Sequence, residues 1–193
     1  MTTWAQLQTD FPAWAKRTDQ TSRLPGFVAL AESRFNRRLR VRQMETALTG
    51  AIDASNQVAL PDGFLSIKAL WPVGYEATPL APQSLEFVTA QNSRAGIPTA
   101  YAVGQSALTF DGSGDIAGVY FKAVPALVNN GSNWLSVLAY EAYLFGALAE
   151  ASLDERDSQQ AAAYYGRADA VIAELINNDQ RDRFNGPLVA RKR

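Results

Sequence analysis

The stretch NWLSVLAYEAYLFGALAEASLDERD, residues 133–157, reads as a helix that is apolar on every side. From Trp134 to Ala149, tyrosine hydroxyls aside, the only polar side chains are Ser136 and Glu141. A surface helix carries one apolar stripe about 100° wide and a polar back. This segment has no polar back. Its run of about 16 residues falls short of the ~20 that a bilayer requires, and Glu141 stands near its middle. The reading is therefore a buried helix. At about 25 cal/mol per Å2, one well-buried Leu or Phe contributes ~2 kcal/mol. A few such residues left exposed are an aggregation liability. The cover comes from the chain's own domain, from a neighbouring subunit, or from both. Gly146, Ala147, Ala149 and Ala151 permit close helix approach in either case.

Working outward, Asn133 or Ser132 is placed to cap this helix, and DERDS breaks it. Asp157 with Gln160 has capping-box spacing. Ala161, Tyr165, Ala168, Ile172 and Leu175 then line one face of a last helix. The end, NNDQRDRFNGPLVARKR, loses periodicity at Gly186–Pro187 and reads as an extended arm from residue 180. Between Gln180 and Arg193 it holds five Arg or Lys against one Asp.

The N-terminal part is also helical. Thr3 and Gln6 have capping-box spacing, and Trp4, Leu7, Phe11 and Trp14 follow at intervals of three or four. Pro12 is expected to kink or shorten this helix. Pro25 suits the first turn of a second helix, on which Phe27, Ala31, Phe35 and Leu39 make a core-facing stripe. Between these helical parts the pattern changes to β. GFLSIKALWP alternates, with Leu65, Ile67, Ala69 and Trp71 on one face. AYAVGQSALTFDGSGDIAGVYFKAV reads as short strands divided by turns, and QSLEFVTAQ fits a short helix or a strand. The fold class is α+β. Residues 1–45 and 129–179 form a helical body, 46–128 a β-rich insertion, and 180–193 a C-terminal arm.

Composition excludes several chemistries. The chain has 193 residues, 47% of them hydrophobic, and a net charge of −1. That balance gives no global pull toward nucleic acid or a membrane. With no cysteine and no histidine, there is no disulfide frame, no thiolate chemistry, no Ser–His–Asp triad and no HExxH zinc site. The start, MTTWAQLQTDFPAWAKRTD, lacks a basic stretch followed by an apolar run, so no signal peptide is expected. No cofactor, metal site or membrane contact is expected.

Few residues invite a chemical reading. Arg34, Arg37, Arg38, Arg40 and Arg42 put five arginines in nine residues, a pattern that suits DNA phosphates. The plainer reading is a solvated face with ion pairs to Glu32, Glu45 or the acidic LDERD turn. DGSGD lacks the GK[ST] ending of a phosphate loop and reads as a hairpin turn. Asp53, Asp62, Asp111 and Asp115 read as turn formers. Trp4, Trp14, Trp71 and Trp134 match core periodicity better than base stacking.

Four segments together resemble the head-to-tail adaptors of tailed phages, including those of short-tailed phages and gene transfer particles. They are LPGFVALAESRFNRRLRVRQME (24–45), VALPDGFLSIKALW (58–71), GIPTAYAVGQSALTF (96–110) and the apolar segment 133–157. The joint pattern FxxLAExRxNRxLR…ME, LPxxFL, NWL…YLxGALxEA carries the resemblance. AYEAYL departs from it in being smaller and more polar. The resemblance implies a structural virion protein, not an enzyme, made in the host cytoplasm. It implies a homo-oligomeric ring of twelve copies beneath the portal that extends the DNA channel and docks the tail, nozzle or stopper. DNA would pass through without sequence-specific binding. Arg34, Arg37, Arg38, Arg40, Arg42, Trp134, Leu138 and Phe145 would serve the ring interface or channel. Phe184, Leu188, Val189, Arg191, Lys192 and Arg193 would form a portal-binding arm. The alternative function is a helical nucleic-acid-binding regulator that uses the Arg34–Arg42 cluster.

Overall fold

The computed structural model describes residues 3–91 and 96–184. It is a mixed α+β chain. Two compact units divide it: residues 1–43 with 124–193, and residues 44–123.

The first unit is helical. It contains α1 (Thr3–Ala15), α2 (Leu24–Arg38), and, after the 44–123 unit, α4 (Leu127–Asn130), α5 (Trp134–Leu138), α6 (Tyr140–Asp154) and α7 (Ser158–Phe184). Helix α6 is its centre, with α1, α2 and α7 packed around it. Its buried residues include Ala142, Tyr143, Leu144, Ala147, Leu148, Ala149 and Ala151, which fall on all sides of the helix. Gly146 sets the approach of α2: a Cβ there would lie 2.9 Å from the Ala31 Cβ and 3.2 Å from the Phe35 ring. The Phe27, Ala31, Phe35 and Leu39 stripe is buried as its spacing predicts, and Pro25 sits in the first turn of α2. Pro12 is accommodated inside α1, which ends three residues later, where Lys16 takes a positive φ of 55°.

Three local expectations need correction. The apolar segment is two helices, broken at Ala139 (φ −145°, ψ 58°). In an unbroken helix residues 133 and 143 stand about 15 Å apart along the axis. Here the Asn133 amide donates to the Tyr143 hydroxyl at 2.7 Å, so the break lets the second helix return its tyrosine to the cap of the first. Thr3 does not form a capping box with Gln6. Its hydroxyl is used across the unit, against Ser136 Oγ (2.8 Å) and the Gly131 carbonyl (3.3 Å). Residues 180–184 are helical rather than extended, since α7 runs to Phe184. The i,i+4 pair between Arg183 and the buried Asp179 (2.6 Å) sits in that last turn. Residues 185–193, and with them Leu188, Val189, Arg191, Lys192 and Arg193, lie outside the described residues.

The second unit holds two sheets around one core. Strands β1 (Glu45–Ala51), β7 (Asp115–Lys122) and β3 (Phe64–Pro72) form an antiparallel sheet in the order β1-β7-β3. Strands β2 (Gln57–Ala59), β6 (Ala107–Phe110), β5 (Ala100–Val103) and β4 (Ala81–Pro82) form the other, in the order β2-β6-β5-β4. Leu48, Leu70, Ile116 and Tyr120 from the first sheet meet Val58, Tyr101, Leu108 and Phe110 from the second. The segment 83–91 resolves as a helix, α3 (Leu85–Gln91), whose first turn is capped by Ser84 Oγ accepting from the Phe87 N–H.

The alternation expected in GFLSIKALWP breaks at a register shift between Ile67 and Ala69. Ile67 packs on the core, but beyond the bulge Leu70 and Pro72 turn inward in place of Ala69 and Trp71. DGSGD is not a hairpin turn. It carries the chain from β6 in one sheet to β7 in the other. A Cβ at Gly112 would lie 2.5 Å from the Gly96 carbonyl oxygen, so only glycine fits that crossing. Asp53 does serve a turn: it accepts from the Ser55 and Gln57 N–H groups (2.8 Å each). Asp111 does not make a local turn; it accepts from Thr99 and Ala100, 12 and 11 residues away. Burial pushes the Asp111 carboxyl up, but the hydrogen bonds from Thr99 and Ala100 outweigh it and hold it below its ordinary value.

Candidate assembly surfaces

The arginines of α2 and of the segment that follows it separate into distinct roles. Arg34, Arg38 and Arg42 recur every fourth residue and face α7. Arg34 makes a two-pronged bond to Asp169 (2.8 and 3.2 Å), and Arg38 pairs with the same carboxylate. Burial works to raise the Asp169 pKa, but the two guanidinium groups prevail and hold it below the ordinary carboxylate value. The Arg34 guanidinium also lies over the Tyr165 ring, 4.3 Å from its centre. Arg42 pairs with Asp182 and with the buried Asp179, which also accepts from the Arg42 backbone N–H (3.2 Å). Arg40 turns back on the last turn of α2 and donates to the Asn36 and Leu39 carbonyls. Arg37 is exposed and donates to the Ser33 hydroxyl (3.1 Å). Among the described residues it meets no carboxylate.

Arg34, Arg38 and Arg42 pair with carboxylates of α7 and not with those suggested by sequence proximity. Glu45 holds Lys68 (2.6 Å), while Asp154 and Glu155 hold Arg23 and Arg17. Glu32 is buried. Its Oε1 accepts from the Leu127 N–H (2.7 Å) and the Tyr143 hydroxyl (3.1 Å). Burial pushes the Glu32 carboxyl above its usual value, against the pull of those two donors. Through Tyr143 this network reaches Asn133, whose side chain accepts from the Ser136 N–H (2.7 Å) and completes a capping box at α5. The true partners of the arginines, Asp169, Asp179 and Asp182, were legible only as acidic positions on α7. The matching signal is the four-residue spacing of Arg34, Arg38 and Arg42.

The apolar residues singled out in the sequence also part company. Trp134 and Leu138 line a groove between α5 and α7. One end, about 410 Å3, is bounded by Val137, Leu138, Glu141, Val171 and Glu174. The other, about 160 Å3, continues past Leu138 and Leu175 to Trp134, Arg42 and Asp182. Val137 is 69% exposed and Leu138 55%. Phe145 lies elsewhere, edge-on to Trp14 (5.7 Å) and stacked with Tyr164 (6.2 Å), beneath the Arg167 guanidinium. The groove therefore joins Arg42, Trp134 and Leu138, while Phe145 serves the packing of α1, α6 and α7. Val137, Glu141 and Glu174 were missed as candidates, because a continuous apolar helix gives no sign of where its cover ends.

Among the described residues there is no group of three or more His, Cys, Asp or Glu placed to hold a metal ion, and no helix long and apolar enough to cross a membrane. The surface features described above are ones of packing and charge. No curated protein matches the chain. The model of the SU10 adaptor protein family matches residues 2–191, nearly the whole length, and the chain belongs to that family of phage head-to-tail adaptors.

Proposed function

We propose that this adaptor assembles as a ring beneath the portal, extends the DNA channel and presents a docking surface to tail proteins. Its family makes it a structural virion component with portal and tail proteins as neighbours. The ring has twelve copies, as the family resemblance implies. The observation that carries this reading is the exposed Val137–Leu138 pair at the α5–α7 groove. Two adjacent large apolar residues left open by their own unit favour burial against another protein, each offering ~2 kcal/mol on full burial.

The arm carries the portal contact in this proposal. Leu188 and Val189 fill apolar slots, and Arg191, Lys192 and Arg193 meet acidic portal groups. Phe184, at the end of α7, begins that segment. DNA passes through the ring without sequence-specific contact. The regulator reading loses ground because Arg34, Arg38 and Arg42 already face Asp169, Asp179 and Asp182, which leaves little free charge for phosphates.

Native mass spectrometry tests the proposal. The chain alone at micromolar concentration is expected as a monomer, and with portal protein as a multi-copy ring bound to it. Removal of residues 185–193 should leave the melting temperature unchanged and abolish stable portal binding. A stable ring without portal, or wild-type loading by the truncated chain, would contradict these two parts respectively.

A further inference from the structure

The α5–α7 groove and the outer face of α2 are separate surfaces of the helical unit. Asp169 marks the flank of α7 that meets α2, through Arg34 and Arg38. Val171, Glu174 and Asn178, which line the groove, lie roughly half a turn around the helix from Asp169 at about 100° per residue. The groove flank offers exposed Val137 and Leu138 with the carboxylates of Glu141 and Glu174. Neither carboxylate has an ion pair among the described residues.

The outer face of α2 carries the opposite set. Leu30 is 55% exposed, an unusual value for a leucine on a helix whose other large apolar residues are buried. Gly26, Ala29 and Ser33 surround it, all small and exposed, and a Cβ at Gly26 would meet nothing within 4 Å. Arg37 stands two turns from Leu30 on the same face, without a carboxylate. An apolar knob with a free cation on one surface thus matches an apolar groove with free carboxylates on the other.

We propose that the outer face of α2 of one copy docks into the α5–α7 groove of the next, with Leu30 against Val137 and Leu138, and Arg37 facing Glu141 and Glu174. The occupant of the groove is a second copy of this chain. Because the two surfaces differ, the contact is head to tail, the kind that closes into a ring when the rotation permits. This rests on the ring reading above and assigns its contact residues. Charge favours this pairing over a self-paired one: two grooves face to face would oppose four carboxylates, and two α2 faces would oppose two arginines.

The absence of cysteine makes a clean test possible. Leu30→Cys, Val137→Cys and the double variant are each mixed with portal protein and treated with bismaleimidohexane, after electron microscopy has established whether a ring is present. Both positions are exposed, so folding is retained. The double variant is expected to give a ladder of covalent multimers up to ring size, and each single variant no cross-linked species. A ring seen by microscopy with no ladder overturns the interface and leaves the ring standing. Dimers from either single variant overturn the head-to-tail pairing. A second double variant, Ala190→Cys with Val137→Cys, gives a ladder in place of the Leu30 pair if the arm occupies the groove, which also overturns the proposal. With no ring in any sample, the ring reading falls and the interface with it.

Discussion

Helices α5 and α6 come from one apolar run, yet they meet opposite fates. On α6 the buried residues from Ala142 to Ala151 fall on all sides of the helix, against α1, α2 and α7, while Leu153 near its end is exposed. On α5 only the first turn is covered: Leu135 and Ser136 are buried, while Val137 and Leu138 face outward. The break at Ala139 divides the two. A helix that is apolar all round therefore need not have one purpose. Its second part stabilises the unit, and its first part leaves surface for a partner. The cost of that open surface is tolerated because an exposed pair is small compared with the core it adjoins.

The largest contrast should appear on truncation. Leu148→Ala, in the core of α6, should cost about 2–5 kcal/mol in chemical denaturation, because it removes a side chain only 2% exposed and leaves a cavity. A loss below about 0.5 kcal/mol would mean that α6 is no better covered than α5. Next in size is the clamp that holds α2 on α7. Asp169→Asn should cost about 1 kcal/mol at neutral pH, since it weakens the bonds of two arginines at a part-buried site. The sign of its pH dependence follows from the lowered Asp169 pKa. The carboxylate's contribution is present above the ordinary value of 3.8 and is lost as pH falls through the lowered folded value, where the two proteins should converge. Arg37→Ala should change neither stability nor its pH profile.

The smallest effect sharpens the account of the bend. Glu32 accepts from Tyr143 of α6 and, through it, reaches the Asn133 cap of α5. Glu32→Gln keeps an acceptor oxygen and removes the buried charge. The Glu32 pKa is raised in the folded chain, so its charged form is disfavoured by folding. The variant should therefore melt slightly higher at neutral pH. That gain should appear as pH rises through the ordinary value of 4.5 and vanish below it. A lower melting temperature at pH 7 would show that the negative charge, and not the acceptor, holds the bend.

How much of this was legible beforehand depends on the range of the interaction. Local patterns read well. The α2 stripe, Pro25, the Asn133 cap and the Asp157 cap, which accepts from the Gln160 N–H at 2.9 Å, all follow from spacing within a few residues. The break at Ala139 did not show, because no Gly or Pro marks it and its compensation comes from Tyr143 and Glu32. The bulge in β3 was hidden for the same reason: alternation assumes a constant phase, and β7 imposes the shift from outside. The family resemblance implies a shared role for Trp134, Leu138 and Phe145; the first two line the groove, while Phe145 packs against Trp14 and Tyr164 within the unit. The arginines were visible as a cluster, whereas their division depended on carboxylates more than 130 residues away.

The central claim is that Val137 and Leu138 serve assembly and not folding. It is tested most directly by replacing both with Ser and counting the copies that remain on portal protein in sedimentation velocity, using protein whose melting temperature has been checked. The account predicts a melting temperature near that of the unaltered chain and loss of the multi-copy complex. A full complement of copies on the portal with both residues replaced would contradict it.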